Sequence, residues 1–427
     1  MKNVLSRAES LARHSDCAEN YTRTYLTPAH QAAARQIADW MREAGMAVRV
    51  DAVGSVIGRY EKMVSETIFP PKARKVSDTI LLGSHFDSVR NGGKYDGVLG
   101  SLVPIACVAE LNRRGERLAV AIEVAAFADE EGARFQTSFL ASRAMLTGAA
   151  GLAPLLERRD ADGITLAEAL RTAGLDPAKL DEARIDPRSL AAYVEVHIEQ
   201  GPVLLGRGAP LGVVTSIAGG SRHRVTVRGV AGHAGTVPMG VRHDALAAAA
   251  EMVLAVEECA AGEGVVGTVG ILEVPNGTGN VIPGEAGFTV DIRAPHDDLR
   301  RGAEDAVFAR FETIARRRGV AVEKDKRHEV RAVPCAPWLQ ERLAASAKRM
   351  GSDPIHLPSG AGHDAMVLAE VTDVGMLFVR CGAGGVSHNP AETVTAEDVA
   401  LAAETLLDFL RSFEPRPQAA VRSSEPA

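Results

Sequence analysis

Cysteine is scarce and scattered in this 427-residue chain: Cys17, Cys107, Cys259, Cys335 and Cys381 are odd in number and never form a Cys-x-x-Cys pair. That argues against a disulfide framework and against a thiolate zinc site, and leaves the thiols as core residues. Positive charge is also short. A net charge of -7, with no basic run and no Lys/Arg patch spaced by aromatics, removes the electrostatic footprint of a nucleic-acid partner. No uninterrupted apolar stretch reaches membrane-spanning length, and the N-terminal MKNVLSRAESLARHSD lacks the apolar centre of a signal peptide. A cytoplasmic protein with no membrane partner is expected. Internal repeats are missing too. What remains is a chain 46% hydrophobic and 24% charged, too long for one simple core and too mixed for disorder, so two domains are expected.

Thr27 before Pro28 reads as a helix start, with Ile37, Trp40, Met41 and Ala44 at helical spacing before Gly45. MAVRVDAVGSVIGRY reads as extended, and DTILLGS is a short apolar run suited to a strand buried on both faces. LGSLVPIACVAELNRRG is helical and LAVAIEVAAFAD is again a buried strand; LAAYVEVHIE and VGMLFVRCG complete a largely parallel sheet. From about 213 to 329 the pattern changes to half-buried strands and longer helices in the order β-α-β-β-α-β, a ferredoxin-like module. The expected fold is therefore α/β: a catalytic domain of residues 1–212 and 330–427, interrupted by an inserted lid and dimerisation domain of residues 213–329. The final EPRPQAAVRSSEPA reads as a mobile tail.

Each buried strand of the outer portion delivers acidic or imidazole groups just beyond its C-terminal end. His85 and Asp87, with Asp96 after a Gly-Gly bend, follow the first; Glu130 and Glu131 the second; His197 and Glu199 the third; and His388 comes after the fourth by way of a glycine loop. In open α/β sheets ligands bind in the crevice beyond the carboxyl ends of the strands, so these segments can converge there. Histidines with carboxylates suit a transition metal of borderline softness. There are more candidate ligands than one catalytic zinc uses, whereas two ions roughly 3.5 to 4 Å apart can share one carboxylate. Asp96 is the expected bridge. Of the adjacent pair Glu130 and Glu131, one can bind metal while its neighbour moves a proton, and Asp87 would orient the His85 ring. His14, His30, His223, His243, His296, His328 and His356 lack such a context and read as surface or packing residues.

The motifs GSHFDSVRNGGKYDG, ADEEGARF, VEVHIEQGPVL, GVAGHAGTVPM, NGTGNVIPGEAGFTVDIR, PSGAGHDAM and VSHNPAE, in this order across nearly the whole chain, resemble the amidase/hydantoinase/carbamoylase branch of the dinuclear metallohydrolases of the aminoacylase and carboxypeptidase G family. The resemblance implies His85, Asp96 and His197 at one metal, Asp96, Glu131 and His388 at the other, and Glu130 as general base. Peptidases of the wider family usually carry a carboxylate where this chain has His197. Gln200, Asn280, Arg293 and Gly362 match the branch's substrate-binding positions, with Arg222 a further match; Arg293 would grip a carboxylate through a two-pronged contact. His233 corresponds to a lid histidine that stabilises the oxyanion, commonly across a homodimer interface.

The implied reaction is hydrolysis of the ureido (N-carbamoyl) amide of a small carboxylate, with two divalent ions (Zn, Mn, Co or Ni) and release of ammonia and carbon dioxide. The first two motifs and residues 20–59 look most like allantoate amidohydrolases, while N-carbamoyl-L-amino-acid hydrolases share every catalytic motif. The rival readings are a metal-dependent dipeptidase or aminoacylase, and a catalytically silent binding protein of the same fold.

Overall fold

In the computed structural model, residues 3–63, 78–262 and 264–415 are described. The expected tail lies, from residue 416 on, outside them. The chain forms two compact units: one takes the residues up to Thr215, Cys335–Leu357 and those from His363 on; the other takes Ser216–Pro334 and the short return Pro358–Gly362.

In the first unit Thr27 starts the helix Pro28–Glu43 by accepting the His30 N–H, while Ile37 and Met41 bury the inner face. Four strands form a parallel core in the order Ala121–Phe127, Thr79–His85, Leu190–Ile198, Val374–Val379. Three of them are buried along their entire length, as parallel strands covered on both faces must be. The sheet is not parallel throughout. Val56–Tyr60 pairs antiparallel with Ala121–Phe127 on one side, as Leu211–Ile217 does with Val374–Val379 on the other. The crossover helix Val98–Arg113 is apolar nearly all round and buries most of its side chains against this sheet. Among the described residues all five cysteines are free; Cys107, Cys335 and Cys381 are buried, and Cys17 and Cys259 are half-buried. No helix of the described residues is long and apolar enough to cross a membrane.

His30 is a core residue. Its Nε2 donates to the Ala128 carbonyl at 2.7 Å and its ring stacks on Phe86 at 4.4 Å. Burial pushes its pKa down to about 4. The unfolded chain therefore takes up this proton from about pH 6.5 downward, and the folded chain only near pH 4. Stability should fall by about 3 kcal/mol across that window from this group, and H30Q should remove that part of the slope in denaturant melts of chelator-treated protein. Equal slopes for the two proteins would show that His30 does not titrate in this way.

The second unit is built on a five-stranded antiparallel sheet, in which Leu272–Glu273, Glu285–Ala294, Gly219–Arg228 and Ala321–Val330 follow one another and Val266–Thr268 also pairs on Glu285–Ala294. Period-two alternation sends Val225, Val227, Phe288, Val290 and Ile292 to one face, where the helices Ala245–Ala260 and Asp297–Arg318 cover them. The same alternation sends Arg222, Arg224, Asp291 and Arg293 to the other face. There they line a cavity of about 1000 Å³ together with Val266, Ile271 and Gly360. This is the ferredoxin-like arrangement expected from the element order.

Candidate metal centre

The parallel strands end together, and the loops beyond them gather the candidate ligands of the first unit. Ligand atoms of His85, Asp96 and His197 all lie within 4.8 Å of one another, and so do those of Asp96, Glu131 and His388. Asp96 belongs to both groups. Its Oδ1 is 3.2 Å from His197 Nε2 and 3.7 Å from His85 Nε2, and its Oδ2 is 3.1 Å from His388 Nε2. Glu130 joins His85 and Glu131 in a third group of the same tightness but is absent from both of the groups that share Asp96.

Local backbone chemistry sets these positions. Gly97 begins the crossover helix at φ +66°, and a Cβ there would overlap the His85 ring, so only glycine lets the helix start this close to the imidazole. His197 Nδ1 bonds the Ile198 carbonyl at 2.8 Å, and His85 Nδ1 lies 3.2 Å from both Asp87 Oδ1 and the Asp87 carbonyl. Each Nδ1 thus carries the ring proton, and the Nε2 lone pair faces Asp96. Asp87 also accepts the N–H groups of Glu130 at 3.1 Å and Glu131 at 3.2 Å, tying two strand ends together.

The donor set fits divalent cations. Imidazole lone pairs aimed at a carboxylate repel it unless a proton or a metal stands between them, and Asp96 Oδ1 and Glu131 Oε1 are buried with no hydrogen-bond donor among the described residues. Without an ion the cluster is held by protons. Burial opposes charge on His85, yet the Asp87 and Asp96 carboxylates beside it raise its pKa well above normal. The hydrogen bond to Asp96 raises His388 to about 9. Burial, reinforced by Asp96, lifts Glu131 to about 7; burial also lifts Glu130 well above the usual carboxylate range. Cations loading such a site would displace protons from the same lone pairs.

Three sequence expectations meet different surroundings. Glu199 turns away and accepts the Val203 and Leu204 N–H groups at 2.7 and 3.0 Å, capping a short helix. Gln200, expected on substrate, donates from Nε2 to Asp96 Oδ2 at 3.0 Å and lies 3.3 Å from His388 Nε2. Arg293 does not offer its Nε/Nη2 edge: Asp291 holds Nε at 3.0 Å and Nη2 at 3.4 Å, and Gly360 O accepts from Nη1 at 3.0 Å. Arg222 Nε reaches the same Asp291 at 2.8 Å, so one carboxylate binds both guanidiniums. His233 and Asn280 are neighbours: the Ala234 N–H donates to Asn280 O at 3.0 Å, and His233 pairs with Val281 on a two-stranded ribbon. Arg222, His233, Asn280, Arg293 and Gly362 all belong to the second unit, whereas Gln200 and the candidate metal ligands belong to the first.

Two buried residues had escaped the sequence reading. His363 packs edge-on against His197 at 4.5 Å and, with Glu195, forms a further close group of ligand atoms. Burial, then the His197 charge, hold its pKa well below the normal value. Glu195 accepts from Ser84 Oγ at 2.7 Å and Tyr193 at 3.1 Å. Period-two alternation already places Glu195 on the face of His197, and His363 stands inside PSGAGHDAM, so both signals were present.

Comparison with known proteins follows the same line. The sequence model described as Peptidase family M20/M25/M40 matches residues 81–412. An N-carbamoyl-L-amino acid amidohydrolase of Geobacillus stearothermophilus is 44% identical over 90% of this chain and 91% of its own. An allantoate deiminase of Arabidopsis thaliana is 40% identical over 96% of this chain and 82% of its own. The crystal structure of an amidase of the hydantoinase/carbamoylase family from Burkholderia multivorans superposes with a TM-score of 0.87 at 32% identity, covering 97% of this chain and 98% of the other.

Proposed function

We propose that this chain, which belongs to peptidase family M20/M25/M40, is a metal-dependent amidohydrolase that cleaves the ureido (N-carbamoyl) amide of a small carboxylate, allantoate or an N-carbamoyl-L-amino acid, releasing ammonia and carbon dioxide. The observation that carries the reading is the pair of ligand groups sharing Asp96, with Glu130 beside them but in neither. Relatives named for carbamoyl and allantoate substrates favour it over a dipeptidase, and a full set of ligands and a base disfavours a silent binding protein.

His85, Asp96 and His197 would hold one divalent ion and Asp96, Glu131 and His388 a second. When bound, such a pair supplies ionised water at neutral pH and polarises a carbonyl. Glu130 takes the proton of the attacking water and returns it to the departing nitrogen. His233 donates to the oxyanion. The Nη hydrogens of Arg293 and Arg222 that Asp291 and Gly360 leave over bind the substrate carboxylate, and the two-way grip on Arg293 fixes their direction. Zn, Mn, Co and Ni all suit histidine and carboxylate donors.

A homodimer through the second unit is part of this reading. Of the seven large apolar side chains more than half exposed among the described residues, Val230, Met239, Val241, Leu254 and Val266 lie in that unit, and only Val50 and Met63 lie outside it. These five exposed side chains are what supports placing the dimer contact on this unit.

The test is turnover of allantoate, N-carbamoyl amino acids, N-acetyl amino acids and dipeptides by protein reconstituted with each metal. Preference for acetyl or peptide substrates would overturn the assignment. On the accepted substrate R293K should raise KM about tenfold, the loss of ~1.4 kcal/mol of a charge-assisted contact, with little change in the unfolding midpoint. An unchanged KM would remove Arg293 from the site.

A further inference from the structure

Two loops that carry candidate ligands are joined by a buried carboxylate that is not itself a ligand. Glu392, in VSHNPAE, is 1% exposed. Its Oε1 accepts the backbone N–H of Tyr95 at 2.9 Å and of Asp96 at 3.1 Å, and its Oε2 accepts Ser387 Oγ at 2.7 Å. All three partners are donors, which suits an ionised carboxylate. Ser387 immediately precedes His388, and its hydroxyl also lies 3.5 Å from Asp96 Oδ2. His388 adopts a left-handed backbone, φ +53°, a conformation that a non-glycine residue keeps only where its surroundings impose it. The Gly-Gly bend before Asp96 has its reason here: a Cβ on Gly93 would overlap the Glu392 carboxyl group.

We infer that Glu392 is a positioning residue that locks the Asp96 backbone to the His388 loop, and so sets the affinity of the Asp96–Glu131–His388 group for its ion. The His85–Asp96–His197 group depends on it far less. Asp96 is also held in place by His85, His197 and Gln200, whereas the half-exposed His388 has Ser387 and Glu392 behind it.

The inference rests on the two-ion reading and is tested by titrating Zn²⁺ into chelator-stripped protein against a chromogenic chelator, which reads each ion without reference to activity. E392A should bind one ion as wild type does and the other about 10- to 100-fold more weakly, the usual cost of removing a residue that supports a ligand. E392Q keeps an acceptor oxygen for the two amides and should stay within a few-fold of wild type. G93A, which pushes the carboxylate aside, and S387A, which cuts its tie to the His388 loop, should weaken the same ion. Circular dichroism of the stripped proteins checks the fold, and should E392A not fold, G93A and S387A carry the test. Wild-type binding of both ions by E392A, or by G93A and S387A together, would overturn the inference. So would equal weakening of both ions, or E392Q as weak as E392A. Wild-type protein that takes up fewer than two ions would instead overturn the two-ion reading beneath it.

Discussion

Replacing Glu130 by glutamine should lower turnover at least about 100-fold while both ions stay bound, since a general base typically contributes roughly 10²- to 10⁴-fold. The glutamine fits the same volume and keeps the backbone N–H on Asp87, so the loop stays in place, but its amide cannot take a proton from water. Glu131→Gln should behave differently. Glu131 shares its ligand group with His388 and Asp96, so that substitution should cost metal before it costs chemistry. Metal analysis beside steady-state kinetics separates the two. If Glu130→Gln protein is the one that loses an ion, the roles of the two neighbours are reversed.

His233→Ala should cost about 100- to 1000-fold in kcat, the price of one oxyanion donor at roughly 2.7 to 4 kcal/mol. The side chain is exposed on a two-residue strand of the second unit, and no shift in its packing should disturb the first unit's core. Because every proposed metal ligand lies in the other unit, the histidine must reach the reacting carbonyl either in its own chain or in a partner's. Mixing inactive Glu130→Gln and His233→Ala chains decides between these. If the histidine acts across a dimer, one site of each heterodimer combines an intact base with an intact histidine, and activity returns. Verified heterodimers as inactive as their parents would end the claim of a shared site. A loss of only a few-fold in His233→Ala would remove the histidine from the oxyanion role altogether.

Much of the site was legible in the chain because its signals are local. A buried parallel strand needs an apolar run, and polar residues close to the carboxyl end of such a run stand at that edge of the sheet; His85, Glu130 and His197 were found in that way. The two-helix, antiparallel build of the second unit was likewise written in alternation and helical spacing. Periodicity says nothing about partners that lie far apart in the chain. Glu392 is 296 residues from Asp96, and its tie to the Asp96 N–H exists only once both loops are folded.

The same limit explains the residues whose surroundings differed. Whether Glu199 turns to a ligand or to the amides of Val203 and Leu204 depends on the helix that starts beside it. The Arg293 edge is taken by Asp291 because both stand on one face of one strand, two residues apart, and a fixed acid nearby outcompetes water for the guanidinium. The return of Pro358–Gly362 to the second unit, which gives Arg293 its Gly360 carbonyl, has no periodic signal at all. Residue type and spacing were thus enough to name which side chains can ligate, take a proton or bind an anion. Which lone pair each one presents, and to whom, follows from backbone hydrogen bonds between distant segments, whose strength depends on a burial that only the folded chain creates.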